Sequence, residues 1–303
     1  MSTDPAADDF VYDEFAYLDE NMTDIGREPV ASPQVRRIAH AVDGDRSMSG
    51  LLWGDDPEIV FVHGSAQNAH TWDTVVLLLG RSAMAVDLPG HGHSDWRDDR
   101  HYTPHNMADD VAAMIDAHAP NAKAVVGMSL GGMVSMALAA RHPDKVGKLI
   151  TVDVTPGVTR EKAKHIHDFV AGPQTFPSFA EIFERTVQFN PTRSASSLRR
   201  GIIHNAHPLP DGSWEWNYDR RGPDDGLPKV SPTQMWEDVE AIAAPHLLVR
   251  GGADGSVVDD EDVAELNRRR PASEVVVVPD AGHSIQGDQP EALAEIIAGF
   301  VDR

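Results

Sequence analysis

Residues 125–133 read VVGMSLGGM, and this stretch decides the fold of the chain. It contains a Gly-x-Ser-x-Gly pattern with Ser129 at the centre. The residues before it, 123–126, are mostly short and apolar, as in a buried strand, whereas residues 130–141 are rich in Ala, Met and Leu, as in a helix. A strand that turns sharply into a helix holds the serine between them on a strained corner, with its hydroxyl exposed. The stretch therefore predicts a candidate nucleophile at Ser129, with a plain turn as the alternative.

On both sides of this stretch, apolar strand-like segments alternate with amphipathic helical segments. The further strand-like segments are residues 35–41, 47–53, 58–62, 82–86, 148–154, 246–250 and 274–278. Such an alternation predicts an α/β fold, with a mostly parallel sheet covered by helices on both faces. In these sheets the functional groups gather at the carboxyl ends of the strands.

The chain divides into three parts. Residues 1–33 form an acidic arm that contains several aromatic residues, and the sequence leaves open whether this arm packs on the main domain, packs on a second subunit or is a frayed terminus. Residues 34–155 and 236–303 carry the strand–helix alternation and form the predicted core. The alternation stops at residues 156–235, which contain helical pieces and Pro- and Gly-rich turns. This segment is predicted to be a mainly helical cap over the carboxyl edge of the sheet.

Composition narrows the classes of partner and chemistry. The net charge of −22 argues against nucleic acid and anionic membranes, because both would be repelled. There is no cysteine, so disulfides, cysteine zinc sites and a cysteine nucleophile are excluded. No apolar run has the length of a membrane span, and the N-terminus lacks the pattern of a signal peptide, so we expect a cytoplasmic protein. Whether it is a monomer or a homodimer stays open.

A serine hydroxyl needs a base that accepts its proton, and the base needs a carboxylate that orients it. His283 follows the last predicted strand, and Asp254 follows the strand before it. The order Ser129, Asp254, His283 is the one expected when the nucleophile lies on such a turn. Asp153, at the end of the sixth strand, is the alternative acid. The sequence thus predicts a Ser-His-Asp triad with Asp254 as its carboxylate.

Backbone amides are the predicted donors to the oxyanion that forms during acyl transfer. One is the N–H of Leu130 at the start of the helix, and the other is the N–H of Ser65 in the loop after residues 63–64. Several other side chains are candidates for the substrate pocket, with ordinary core packing as the alternative role. They are Met128, Trp72, Trp214, Trp216 and Ser284.

Two His-x-His pairs were weighed as metal ligands, His91 with His93 and His165 with His167. Neither pair is accompanied by a carboxylate cluster with ligand spacing. The sequence therefore predicts no metal site and no cofactor.

Several short motifs together resemble the α/β-hydrolase superfamily. They are HG at 63–64, DLPGHGHS at 87–94, GMSLGG at 127–132, Asp254 and GH at 282–283. The resemblance covers roughly residues 35–303. It implies an eight-stranded sheet, a Ser-His-Asp triad and a cap over an acyl pocket.

The resemblance also narrows the reaction. Epoxide hydrolases and haloalkane dehalogenases of this superfamily carry Asp at the nucleophile position, where this chain has Ser129. Hydrolases of meta-cleavage products are closer in outline, but they typically have Asn before the nucleophile and Trp after the catalytic histidine. This chain has Met128 and Ser284 at those positions, which favours an ester substrate.

The hypothesis from the sequence is a serine hydrolase that cleaves a carboxylic ester of a small or medium-sized apolar substrate through an acyl-enzyme. One alternative is hydrolysis of a carbon–carbon bond in a ring-fission 1,5-diketone acid. For that substrate the cap offers four arginines that could bind the carboxylate: Arg185, Arg193, Arg199 and Arg200. The other alternative is a non-catalytic ligand-binding protein with a hydrolase fold.

Overall fold

The computed structural model describes residue 5 and residues 10–190, 193–220 and 229–303. Its strands are Val35–Asp43 (β1), Arg46–Trp53 (β2), Ile59–Val62 (β3), Ala83–Asp87 (β4), Ala124–Met128 (β5), Leu149–Val152 (β6), Thr175–Phe176 (β7), Ala206–Pro208 (β8), Trp214–Trp216 (β9), His246–Gly251 (β10) and Glu274–Val278 (β11). Its α-helices are Leu18–Thr23 (α1), Asp73–Leu79 (α2), Pro104–His118 (α3), Leu130–Arg141 (α4), Lys164–Val170 (α5), Phe179–Phe189 (α6), Ala195–Asn205 (α7), Pro232–Ala241 (α8), Asp260–Arg269 (α9), Ile285–Asp288 (α10) and Pro290–Val301 (α11).

Eight strands form the main sheet, in the order β1-β2-β4-β3-β5-β6-β10-β11. β2 is antiparallel to its neighbours β1 and β4, and the other pairs are parallel. The predicted α/β fold with an eight-stranded, mostly parallel sheet is therefore confirmed. The parallel arrangement places the carboxyl ends of β3, β5, β6, β10 and β11 along one edge, and the loops that leave this edge carry the candidate site.

The sheet is buried on both faces because successive side chains of a strand point to opposite sides. In β3, Val60 and Val62 pack with α3, α4 and α8, whereas Ile59 and Phe61 pack with α2 and α11. Strands covered on both faces read as continuous apolar runs, which is why they were recognisable in the sequence. Within the described ranges, no helix is long and apolar enough to cross a membrane.

The segment between β6 and β10 is the one predicted to form the cap. It contains α5, α6 and α7, and it also contains a small antiparallel sheet in the order β7-β9-β8, which the prediction of a mainly helical cap did not include. Helix α8 begins at Pro232 and buries Met235 and Trp236 in the main core, so the predicted boundary after residue 235 falls inside a core helix. Residues 191–192 and 221–228 of this segment lie outside the described residues.

The N-terminal arm packs on the domain from about residue 10 onward, and most of residues 1–9 lie outside the described chain. Leu18 and Met22 of α1 are buried in the same core cluster as α2 and α11. Phe10 contacts Trp214 in the cap, with ring centroids 5.5 Å apart. The arm thus packs on its own chain, against both the core and the segment between β6 and β10, which is the first of the three alternatives that the sequence left open.

Charged residues of the main domain bind Glu14 and hold the N-terminal arm against that domain. Its carboxylate forms a salt bridge with Arg37, which also pairs with the buried Asp87 at 2.5 Å. His70 Nε2 lies 3.1 Å from Glu14 Oε1, and His70 Nδ1 lies 2.8 Å from Asp73 Oδ2. Burial alone would raise the pKa of Glu14, but hydrogen bonds from His70 and Arg37 lower it to about 2. Burial alone would lower the pKa of His70, but the charge of Asp73 and hydrogen bonds to Asp73 and Glu14 raise it to about 9.

We expect the Glu14→Gln substitution to lower thermal stability in a pH-dependent way. The Glu14 contribution is present above its ordinary pKa of 4.5 and is lost as the pH falls toward 2. The His70 contribution is complete below its ordinary pKa of 6.5 and is lost as the pH rises through 9. The difference in melting temperature between wild type and variant should therefore be largest at about pH 5.5 and shrink on either side. Scanning calorimetry at acidic, intermediate and alkaline pH measures it, with the exposed Glu28→Gln as the control. A difference that does not vary with pH would contradict the assigned ion pairs.

Candidate active site

Ser129 lies on the tight turn between β5 and α4. Its φ of 53° and ψ of −120° are strained for a residue with a side chain. The turn is close-packed, since a Cβ on Gly131 would lie 2.2 Å from the carbonyl oxygen of Val62. A larger residue at position 131 would therefore push α4 away from β3. The sequence pattern around Ser129 is thus the one that this corner requires.

His283 follows β11 and is oriented by a buried carboxylate. Its Nδ1 lies 2.9 Å from Oδ2 of Asp153, and Asp153 is fully buried. Nδ1 donates to this carboxylate, so Nε2 is the ring nitrogen that remains to exchange a proton with another group. His283 and Ser129 line the same cavity of about 140 Å³.

The carboxylate of Asp153 accepts four hydrogen bonds. Besides His283, the donors are the amide of Gly251 at 3.0 Å, the amide of Val257 at 2.9 Å and the hydroxyl of Ser256 at 2.6 Å. These three donors come from the end of β10 and the loop that follows it. Both carboxylate oxygens are therefore satisfied without water, which fixes the carboxylate against His283.

The prediction that Asp254 orients His283 is wrong in this structure. Asp254 is exposed in the loop after β10, and the carboxylate that holds His283 belongs to Asp153. The reason lies in the sheet order, in which β6 is the neighbour of β5. Asp153 follows β6 directly, with a φ of 48°. The loop that carries Asp254 instead supplies hydrogen-bond donors to Asp153.

The loop after β3 approaches the nucleophile closely. A Cβ on Gly64 would lie 2.6 Å from Sδ of Met128 and 3.2 Å from Cβ of Ser129. In the described part of the chain, the amides of Ser65 and Leu130 donate to no protein acceptor. These are the two amides that are predicted to donate to an oxyanion.

His63 holds this loop in place, a role that the sequence analysis did not assign. Its Nε2 accepts a hydrogen bond from the amide of Leu88 at 2.9 Å, so Nδ1 carries the proton that it donates to the carbonyl of Gly64 at 2.7 Å. Burial lowers the pKa of His63 to about 3, which keeps the ring neutral. The HG motif at 63–64 was visible in the sequence, but the contact with Leu88 comes from β4 packing beside β3.

A second cavity of about 850 Å³ continues from the first. The two share several lining residues, including His283, Ser284, His165 and Phe169. His165 is not among the pocket residues predicted from the sequence, in which it is a candidate only for a metal ligand. Burial and repulsion from His283 lower the pKa of His165. A volume of this size is in the usual range for a small-molecule site.

The predicted pocket residues separate into two groups. Met128 and Ser284 line the small cavity, and Trp216 lines the large one. Trp72 lines neither, because it is fully buried against Phe61 with ring centroids 5.0 Å apart. Trp214 also lines neither, because it packs inside the cap. For these two tryptophans the packing alternative is the one observed.

One described group has the composition of a metal site: His70, Asp73 and His204. The two histidine pairs weighed from the sequence are not part of it. Both ring nitrogens of His70 face carboxylates, and its pKa of about 9 keeps both protonated near neutral pH. The imidazolium ring thus already provides the cation of this cluster, and its contacts are those of the ion-pair network that fastens the arm.

Comparison with known proteins identifies the family to which this chain belongs. Residues 59–296 match the alpha/beta hydrolase family. The chain belongs to this family. This α/β-hydrolase is 44% identical over 302 residues to esterase Rv0045c of Mycobacterium tuberculosis, a match that covers 96% of each chain. A solved structure of that esterase superposes with a TM-score of 0.85 at 43% identity, covering 96% of this chain and 99% of that one.

Two further relatives are less similar in sequence. The 2-(acetamidomethylene)succinate hydrolase of Mesorhizobium japonicum is 29% identical and covers 82% of this α/β-hydrolase and 89% of the relative. A solved structure of an E-2-(acetamidomethylene)succinate hydrolase has a TM-score of 0.75 at 26% identity, covering 88% of this chain and 100% of that one. The pimeloyl-[acyl-carrier protein] methyl ester esterase of Aeromonas hydrophila is 28% identical over 84% of this chain and 99% of its own.

Proposed function

We propose that this α/β-hydrolase cleaves carboxylic esters of small molecules through an acyl-enzyme. The observation that carries the proposal is the hydrogen bond from His283 to the buried Asp153 beside a cavity that Ser129 also lines. The similarity to a mycobacterial esterase along nearly the whole chain supports an ester as the substrate.

In the proposed mechanism, Ser129 Oγ attacks the ester carbonyl carbon while its proton moves to Nε2 of His283. Asp153 stabilises the imidazolium that forms and keeps the ring in the required tautomer. The amides of Leu130 and Ser65 donate to the oxyanion of the tetrahedral intermediate.

His283 then protonates the leaving alkoxide, and an acyl group remains on Ser129. A water molecule, deprotonated by His283, attacks the acyl carbon, and the carboxylic acid is released as His283 returns the proton to Ser129 Oγ. The nucleophile, the base and the acid all belong to this chain, so the chemistry needs no external cofactor.

Comparing two substrate classes tests this function. We expect turnover of medium-chain p-nitrophenyl esters and little turnover of vinylogous 1,5-diketone acids. Cleavage of the diketone acids requires polar groups that direct a proton to a carbon atom of the substrate, and the side chains of Met128 and Ser284 do not provide them. Initial rates at matched concentrations measure it, with Ser129→Ala as the blank for spontaneous hydrolysis. A diketone acid with the higher kcat/KM would replace the esterase assignment with carbon–carbon bond hydrolysis. Rapid binding without turnover in either class would indicate a ligand-binding protein.

A further inference from the structure

Arg193, in the segment between β6 and β10, lines the large cavity of about 850 Å³. Its Nη2 donates to Ser197 Oγ at 3.0 Å. In the residues that the structure describes, no carboxylate oxygen lies within 4.0 Å of its guanidinium. In a chain with a net charge of −22, a cation in a cavity without an acidic partner requires an explanation.

The three other candidate arginines, Arg185, Arg199 and Arg200, contact other parts of the protein. Arg185 donates to the carbonyl of Phe169 at 3.1 Å and stacks on aromatic rings. Arg199 lies 3.9 Å and Arg200 lies 3.3 Å from the carboxylate of Glu20. Arg185 has no ion pair with a described residue but does not line the large cavity, and Arg200 lines that cavity but is paired with acids. Of these four arginines, only Arg193 both lines the large cavity and has no carboxylate oxygen within 4.0 Å among the described residues.

Arg193 lies against the backbone next to the candidate base. A Cβ on Gly287 would lie 2.1 Å from Nη1 and 2.3 Å from Cζ of Arg193, so the guanidinium occupies the space that the missing side chain leaves. Gly287 is in α10, four residues after His283, and His283 lines the same cavity. The positive charge is therefore on the wall of the cavity that contains the base.

The surroundings of Arg193 favour an added anion. Burial lowers the pKa of Arg193, repulsion from Arg200 lowers it further, and Asp288 opposes both. Asp288 lines the same cavity, but none of its carboxylate oxygens lies within 4.0 Å of the Arg193 guanidinium. Its Oδ2 accepts a hydrogen bond from the amide of Gly282 at 3.0 Å. A ligand carboxylate would supply the missing counter-charge in two-point contact with the guanidinium.

The cavity also contains other carboxylates, and these are either paired or at the surface. Asp24 lies 2.7 Å from Arg200, and Asp73 binds His70. Asp254 and Asp280 are exposed. Apart from Asp288, the carboxylates of the lining are therefore paired with other cations or exposed to solvent.

We propose that Arg193 binds a carboxylate at the end of the substrate remote from the scissile ester, so that the preferred substrates are half-esters of aliphatic dicarboxylic acids. The proposal rests on the ester hydrolysis proposed above. It names Arg193 as a determinant of specificity that does not touch the reacting atoms.

The test compares mono-p-nitrophenyl esters of glutaric, adipic, pimelic and suberic acid with neutral p-nitrophenyl esters of the same chain length. We expect Arg193→Gln to raise KM for the best half-ester by roughly 10- to 100-fold, the range for a lost charge-assisted contact. Its kcat, and both constants for the neutral ester, should stay within about twofold of wild type. Arg199→Gln removes the same charge from the cap but outside the cavity lining, and should leave the preference unchanged.

Direct binding makes the result independent of turnover. We expect calorimetry to show that adipate or pimelate binds the Ser129→Ala protein and that binding is lost in the Ser129→Ala, Arg193→Gln double variant. If esters are hydrolysed without preference for the half-ester and the diacids do not bind, the role of Arg193 is wrong and the esterase function stands. If no ester is hydrolysed but diacids bind through Arg193, the anion site stands and the esterase function is wrong. Equal diacid binding by the Arg193→Gln protein would overturn the site in either case.

Discussion

Replacing Ser129 by alanine is expected to lower kcat for ester hydrolysis by about 10⁶, with the fold unchanged. The substitution removes one hydroxyl at a cavity wall and keeps the backbone of the turn. Without Oγ no acyl-enzyme forms, and the remaining rate reflects only binding and the oxyanion donors. Hydrolysis of a p-nitrophenyl ester measures the loss, and circular dichroism checks the fold.

His283→Ala should lose nearly as much activity, and the double variant should lose little more than either single variant, because the two residues act as a unit. Ser65→Ala is the matched control, since it keeps the backbone amide that would bind the oxyanion and should retain most activity. If the loss of kcat in the Ser129→Ala, His283→Ala protein equalled the product of the two single losses, the two residues would not act in the same step.

Asp153→Asn is expected to lower kcat by about 10⁴, whereas Asp254→Asn should change it by less than about threefold. An amide at position 153 cannot stabilise the imidazolium of His283, and its NH₂ group can impose the wrong tautomer on the ring. The amide would also place a donor opposite the donors from Gly251 or Val257, so Asp153→Asn should lower the melting temperature as well.

The comparison requires kcat over a range of pH and the melting temperature of both variants. Asp254 is exposed and lines the rim of the cavity, so its substitution leaves the contacts of His283 intact. A larger loss of kcat in Asp254→Asn than in Asp153→Asn would restore Asp254 as the acid and would require a different position of the loop after β10.

The fold was readable from the sequence because its signals are local. Strands covered on both faces are continuous apolar runs, and the glycine at position 131 marks a turn in which any side chain would meet the backbone of β3. The small cap sheet was missed because β7 to β9 are only two or three residues long and have no period of their own.

The site was readable in part. Ser129 and His283 carry motifs, but Asp153 and Asp254 both follow strands at the same edge, and both preserve the expected order along the chain. The structure distinguishes them because the loop after β10 donates hydrogen bonds to the carboxylate of Asp153. A contact between residues so far apart in sequence leaves no local sequence pattern. The same limit applies to the four candidate arginines, since only the folded structure shows which of them line the large cavity and which of those are paired with acids.

Labelling with a fluorophosphonate tests the central claim most directly, because this reagent reacts rapidly only with an activated serine. The labelled peptide is identified by mass spectrometry after digestion. The account predicts rapid modification at Ser129 in the wild type, much slower modification in His283→Ala and Asp153→Asn, and none in Ser129→Ala. Modification of a different serine, or a folded wild-type protein that is not modified, would contradict it.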